Sequence, residues 1–294
     1  MRLEKRIKGL KKNKITNEMK KNRCLTFVIL AILIIYAASC QESSNEIISY
    51  QIASPFQSDY TTLRVLTPDN MDLSKKYNVL YVLPVIENDN RRFGDGLLEM
   101  QKYNYHNKYQ LICVAPEFTS MPWYADHSTD RGKQDESHML ETIIPFIDEN
   151  YPTLDSNEGR LLVGFSKSGW GALTLLLRNP EIFWKAVGWD IGIRIDTEDL
   201  EVEKLKEKYK RDFGSKDNFE EYRISTLLKE RKDQLGTVER IFYYNTEGKR
   251  GPGGMKIHQL MVELGMPHRY LYEPKRKHRW DTGWIPEAVK FLVE

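Results

Sequence analysis

"RLLVGFSKSGWGALTLLLRNP", residues 160–180, decides the fold. The apolar run Leu161–Val163 reads as a buried strand. Leu173, Leu176 and Leu177 then share one helical face, and Asn179-Pro180 gives that helix a normal stop. Between the two lies "GFSKSG", residues 164–169, which nearly spells G-x-S-x-G. Ser168 stands where the second glycine is expected, and Gly169 comes one place late. A serine on a sharp turn from strand to helix is the setting of a nucleophile elbow. Such a turn needs small neighbours so that strand and helix can approach, and Gly164, Ser168 and Gly169 meet that need. An ordinary serine here would only cap the helix. Ser166 is thus the candidate nucleophile, with a plain N-cap as the alternative.

The rest of the body repeats the strand and helix patterns. "IISYQIA" (47–53), "TTLRVLTP" (61–68), "YNVLYVLPV" (77–85), "YQLICVAPE" (109–117), "WKAVGWD" (184–190), "RIFYYNT" (240–246) and "HRYLYEP" (268–274) read as strands. Several are almost wholly apolar, as expected of strands covered on both faces. "DESHMLETIIPFIDENY" (135–151), "GGMKIHQLMVELG" (253–265) and "GWIPEAVKFLVE" (283–294) read as helices, with a kink expected at Pro145. Alternating strands and helices predict an α/β domain with a mostly parallel sheet. Residues 194–235 are charged and helical without a strand signal. They read as a small helical insertion, either a substrate lid or a pair of solvated surface helices.

The formal net charge of +2 belongs to the N-terminus. Residues 1–23 hold 10 of the 44 Lys+Arg and 2 of the 42 Asp+Glu, so the remainder is acidic. An acidic body argues against a nucleic-acid partner. "MKKNR" from Met19, an apolar core over Leu25–Ser39 and "AASC" at 37–40 read as an export signal over 1–39, with Met19 a more usual start than Met1. The apolar stretch is shorter than the roughly 20 residues of a spanning helix. "AASC" resembles a bacterial lipobox, apart from Ala37, where leucine is usual. That resemblance implies lipidation at Cys40, a polar tether over 40–46 and a lipid-anchored protein of the cell envelope. Cys24 would leave with the signal, so Cys113 would be the one thiol of the mature body, and no internal disulfide is expected.

A serine at its free pKa needs a base. His278 in "KHRWDTGW" (277–284) lies between the last strand and the last helix, where a base is expected when the order is Ser, acid, His. The alternative is a surface histidine in a basic loop. Residues 47–294 resemble the esterase branch of the α/β-hydrolase superfamily, which includes S-formylglutathione hydrolases, feruloyl and acetyl-xylan esterases and enterochelin esterases. The pieces that carry the resemblance are "YNVLYVLP", "VAPEFTSMPWYADH", "ESHMLETIIPFIDENYP", "GFSKSGWGALTLLLRNPEIFWKAV", "LGMPHRYLYEP" and "HRWDTGWIPEAVKFL". It implies an α/β-hydrolase fold and a serine esterase that needs no cofactor and no metal. Its substrate would be a small-molecule or polysaccharide ester. Acyl transfer or peptide cleavage on the same triad is the second enzymatic reading. An inactive, surface-anchored carbohydrate-binding protein is the rival from another class.

Three departures from the family pattern matter. Where relatives carry His-Gly after the third strand, this chain has Pro84-Val85. Proline has no N–H, so the expected oxyanion donors are the backbone N–H groups of Lys167 and of Val85 or Ile86. Where relatives carry an aspartate in T-E-D, this chain has Thr246-Glu247-Gly248. The acid is expected to be Asp190, at the end of the preceding strand, or Glu247. Lys167 stands beside the nucleophile where relatives carry an apolar residue, and points either to an anionic substrate or to solvent. The resemblance also implies that Trp123 and Tyr124 line the cleft. Trp170, Trp189 and Trp280 could extend that aromatic wall or simply pack the core.

Overall fold

A computed structural model describes residues 46–87, 91–191, 203–247 and 251–294. The chain divides into Met1–Ser44 and Asn45–Glu294. The expected signal segment, Cys40 and the tether up to residue 45 lie outside the described residues. Among the described residues no helix is long and apolar enough to cross a membrane.

Eight strands form one sheet: β1 (Ile48–Ile52), β2 (Thr61–Leu66), β3 (Asn78–Val82), β4 (Leu111–Pro116), β5 (Arg160–Phe165), β6 (Lys185–Trp189), β7 (Ile241–Asn245) and β8 (His268–Tyr272). Their order is β1-β2-β4-β3-β5-β6-β7-β8. The β1–β2 and β2–β4 pairs are antiparallel, and every later pair is parallel. This is the mostly parallel α/β sheet that the alternating pattern predicts, in the α/β-hydrolase arrangement that the family resemblance implies. β4, β5, β6 and β7 are buried along their whole length, which is why their sequences lack polar alternation.

Side chains from alternate positions feed two cores, one on each face of the sheet. Val79 and Tyr81 of β3 join one, and Leu80 and Val82 join the other. The first core is covered by the helix Lys167–Arg178. The second is covered by the helix Gly96–Lys102 and the last helix, Ile285–Val293. The helix expected around Pro145 is not one continuous α-helix. A π-helical turn, Met139–Ile143, joins Asp135–His138 to Ile144–Asn150, and Pro145 sits in the first turn of the latter. A π-helical turn is one of the local adjustments found where a helix is interrupted.

The charged segment is described from Glu203 onward. It forms the helices Glu203–Asp212, Lys216–Tyr222 and Ile224–Arg231, then a short 3₁₀ turn, Lys232–Leu235. It is not a pair of solvated helices. Tyr209, Phe213, Phe219, Ile224, Leu227 and Leu228 are buried in the first core. Polar links fix it as well: the Tyr222 hydroxyl donates to Glu136 at 2.8 Å, and the Asn218 amide donates to the Asp126 carbonyl at 2.7 Å.

Candidate active site

The elbow forms because the chain is too crowded there for anything larger. A Cβ on Gly164 would lie 2.0 Å from the Ser168 carbonyl oxygen, so strand and helix can meet only over a glycine. Ser168 fills the other small position. Its buried hydroxyl donates to the Phe165 carbonyl at 2.9 Å and accepts from the Phe165 N–H at 3.0 Å. The late glycine therefore leaves no polar group stranded. Ser166 adopts φ 57°, ψ −121°, and its side chain makes no capping hydrogen bond to the helix that follows. The N-cap alternative thus lacks its defining contact. The Ser166 N–H donates to the Trp189 carbonyl at 2.9 Å, tying the elbow to β6.

One strand further on, Asp190 follows β6 and also has a positive φ, 43°. Its N–H donates to the Tyr244 carbonyl at 3.0 Å. The carboxylate is buried and fully engaged. The Thr246 hydroxyl donates to Oδ1 at 2.8 Å, and Oδ2 is hydrogen-bonded to His278 Nδ1. Of the two candidate acids, Asp190 is therefore the partner of the histidine. Glu247 is exposed and has no hydrogen bond to His278. Thr246, just before it, serves Asp190 instead. With Tyr124 at φ 55°, Ser166 and Asp190 are three of the five non-glycine residues with positive φ among those described. Such strained backbone is held by its surroundings and concentrates where geometry matters.

The His278 ring is held between Phe165, at 4.4 Å between ring centres, and Phe93, at 5.8 Å. Its loop is tied down by the Trp280 N–H, which donates to the Phe93 carbonyl at 2.9 Å. Asp281 takes part through a two-pronged pair with Arg279 at 2.7 Å. Ser166 and His278 open into one cleft of about 460 Å³, together with Val85, Phe93, Met121 and Trp123. Its far side is made by Lys167 and by Lys208, Arg211 and Asp212 of the helix Glu203–Asp212. Sequence reasoning missed those three. A charge within a charged helix gives no sign of which face it occupies.

Val85 and Lys167, two of the residues expected to supply oxyanion donors, line the same cleft as Ser166. Lys167 is the first residue of its helix, so its N–H has no acceptor one turn earlier. Pro84 is held from behind, since the Tyr124 hydroxyl donates to its carbonyl at 2.5 Å. Ile86 is half-buried next to it and is not among the cleft-lining residues.

The aromatic wall needs correction. Trp123 lines the cleft, but Tyr124, Trp170 and Trp189 are fully buried and Trp280 nearly so. Tyr124 packs on Gly171, where a Cβ would lie 2.1 Å from its ring. Trp189 stacks between Phe165 and Trp284, and Trp280 stacks on Trp284. These rings pack beneath the segments that carry Ser166, Asp190 and His278. No group of three or more metal-ligating side chains occurs among the described residues. Asp126 accepts from Ser137. His127 Nδ1 accepts from the N–H groups of Thr129 and Asp130, at 3.3 and 3.0 Å. Cys113 is buried, and burial pushes its thiol up to about 12.

Comparison with known proteins agrees with this geometry. Residues 56–188 match the family model described as "Putative esterase". That stretch is similar to the esterase family, and the solved structures below share the α/β-hydrolase fold. The matched segment contains Val85, Trp123, Ser166 and Lys167, and it ends just before Asp190. Among solved structures, a ferulic acid esterase is 17% identical with TM-score 0.68, covering 84% of this chain and 98% of its own. An S-formylglutathione hydrolase from Staphylococcus aureus is 16% identical with TM-score 0.67, covering 85% and 99%. A ferulic acid esterase from Anaeromyces mucronatus, solved with ferulic acid, is 17% identical with TM-score 0.59, covering 84% and 89%. No curated protein matches in sequence. The family match is to esterases over residues 56–188, and the solved structures agree with this chain in fold.

Proposed function

We propose that this protein cleaves carboxylic esters through an acyl-enzyme on Ser166. One observation carries the reading: His278, which shares the cleft with Ser166, is hydrogen-bonded through Nδ1 to the buried Asp190 carboxylate. Asp190 then keeps the proton on Nδ1 and leaves Nε2 free to act as base. Ser166 Oγ attacks the ester carbon while His278 Nε2 takes its proton. The N–H groups of Lys167 and Val85 hold the oxyanion. The alcohol leaves with the proton from His278. Water, activated by the same imidazole, then attacks the acyl carbon and releases the acid.

The setting of this activity is part of the same reading. The N-terminal pattern and Cys40 support a lipid-anchored envelope protein, and deacylation of decorated polysaccharide would suit that site. N-terminal mass spectrometry of the native protein tests the anchor, since an unmodified terminus other than Cys40 would refute it. Fluorophosphonate labelling tests the chemistry. Wild type is expected to label and to hydrolyse acetyl and feruloyl esters, and Ser166→Ala to do neither. Labelling that survives in Ser166→Ala would refute the assignment.

A further inference from the structure

The turn that brings Trp123 to the cleft is held by one buried carboxylate. Asp135 opens the helix Asp135–His138 and is buried. Its Oδ2 accepts from the Trp123 N–H at 3.0 Å and from the Tyr124 N–H at 3.2 Å. Its own N–H donates to the Ala125 carbonyl at 3.3 Å. Three consecutive residues, 123–125, are thus gripped by a single one. Oδ1 accepts from the Gln57 amide at 3.3 Å, and Gln57 Oε1 in turn accepts from the Thr119 N–H at 2.9 Å. Burial pushes the Asp135 carboxyl up to about 7, against the pull of the Trp123 N–H, the Gln57 amide and the Tyr124 N–H. An apolar side chain would avoid that burial cost, but it could not gather the N–H groups of this turn.

The turn reaches the oxyanion loop through Tyr124. This residue has φ 55°, which a bulky side chain rarely adopts unless its surroundings impose it. Asp135 fixes its backbone, and Gly171 and Phe118 pack its ring. Its hydroxyl donates to the Pro84 carbonyl at 2.5 Å. That carbonyl and the Val85 N–H belong to one peptide group. In a trans peptide the two point in opposite directions, so whatever holds the carbonyl also aims the N–H. Val85 lines the cleft with Ser166.

We propose that Asp135 is a positioning residue for the hydrolysis: it holds the Tyr124 hydroxyl on the Pro84 carbonyl and so directs the Val85 N–H at the oxyanion. This rests on the reading of Ser166 as nucleophile and Val85 as donor. Asp135 itself is not among the residues that line the cleft with Ser166, and it acts through Tyr124.

Asp135→Asn tests the link. It puts an NH₂ where Oδ1 meets the Gln57 NH₂, and two donors that face each other push the turn away. Crystal structures come first. In the variant the Tyr124 hydroxyl should lie beyond hydrogen-bond reach of the Pro84 carbonyl, and an unchanged contact would overturn the proposal. Kinetics on a neutral acetyl ester follow. kcat should fall about tenfold with little change in KM, a fraction of what a lost oxyanion donor costs. Adding Tyr124→Phe should cost nothing further, because both changes cut one chain. Losses that multiply to about a hundredfold, or a loss confined to KM, would mark Asp135 as merely structural and overturn the proposal. Gln57→Glu supplies an acceptor for the new NH₂, so the double change should return kcat to within about threefold of wild type. Should Asp135→Asn fail to fold, the double variant decides: if it folds yet is about tenfold slower or worse, the proposal is overturned. If the Tyr124 contact is lost in Asp135→Asn while wild type turns over no ester, the nucleophile reading fails and the link from Asp135 to Pro84 stands.

Discussion

Replacing Asp190 by asparagine probes the candidate triad most directly, because the structure dictates how the new side chain must sit. Thr246 Oγ1 donates to Oδ1 of Asp190, and His278 Nδ1 meets Oδ2. A carboxamide in this slot keeps its oxygen toward the Thr246 hydroxyl and turns its NH₂ toward His278. That NH₂ is a donor, so Nδ1 must become the acceptor and the ring proton must move to Nε2. A ring protonated on Nε2 cannot take the proton of Ser166. The positive imidazolium formed during attack also loses its buried counter-charge. The same change in a serine protease triad lowers kcat about 10⁴-fold. Because Asp190 here has a second, fixed partner, we expect a loss of about 10³–10⁴, or roughly 4–5.5 kcal/mol of transition-state stabilisation. The assay is kcat on a neutral acetyl ester, with thermal unfolding measured alongside. Glu247→Gln is the matched control and should stay within about twofold of wild type, since Glu247 is exposed. If Asp190→Asn stays within tenfold of wild type, or Glu247→Gln is the more damaging change, the assignment of the acid is wrong.

Other changes have smaller expected effects. Tyr124→Phe removes the 2.5 Å hydrogen bond to the Pro84 carbonyl. By loosening the Val85 N–H it should lower kcat about tenfold with little change in KM, a fraction of what a lost oxyanion donor costs; an unchanged kcat would mean that the loop is held otherwise. Ser168→Ala strips both hydrogen bonds from the buried Phe165 backbone. It should cost about 1–2 kcal/mol of stability, read as a Tm lower by several degrees in a thermal melt.

Most of the fold was legible in the sequence for simple reasons. Buried parallel strands such as "LICVA" and "RLLV" leave apolar runs that few other structures explain. Ser166 was legible because its turn needs small residues at fixed offsets. The acid was less so: Asp190 and Glu247 follow adjacent strands, and only folding, which buries Asp190 between the Thr246 hydroxyl and His278 Nδ1 and leaves Glu247 exposed, separates them. The aromatic wall misled because nearness in sequence to a catalytic residue does not say which way a ring points. Trp189 and Trp170 sit beside Asp190 and Ser166 in the chain, yet both face inward. In sequence the insertion reads as a substrate lid or as solvated helices. Its many charges hide a buried face, marked by Tyr209 and Phe213, four apart, and Phe219 and Tyr222, three apart. The cationic side of the cleft was half visible. Lys167 could be read from its place beside Ser166, whereas Lys208 joins it only through folding.

The packing at Gly164 and Ser168 also bears on how hydrolases are recognised. The two outer positions of the G-x-S-x-G pattern are not equivalent in space. At 164 a side chain would run into the backbone of the helix, so that glycine is compulsory. At 168 a small hydroxyl folds back onto the strand it has just left and closes a local loop of hydrogen bonds. A search pattern that demands glycine at both positions would pass over this chain. One that fixes the first glycine and admits serine at the last would find it, and would do so for a steric reason rather than a statistical one.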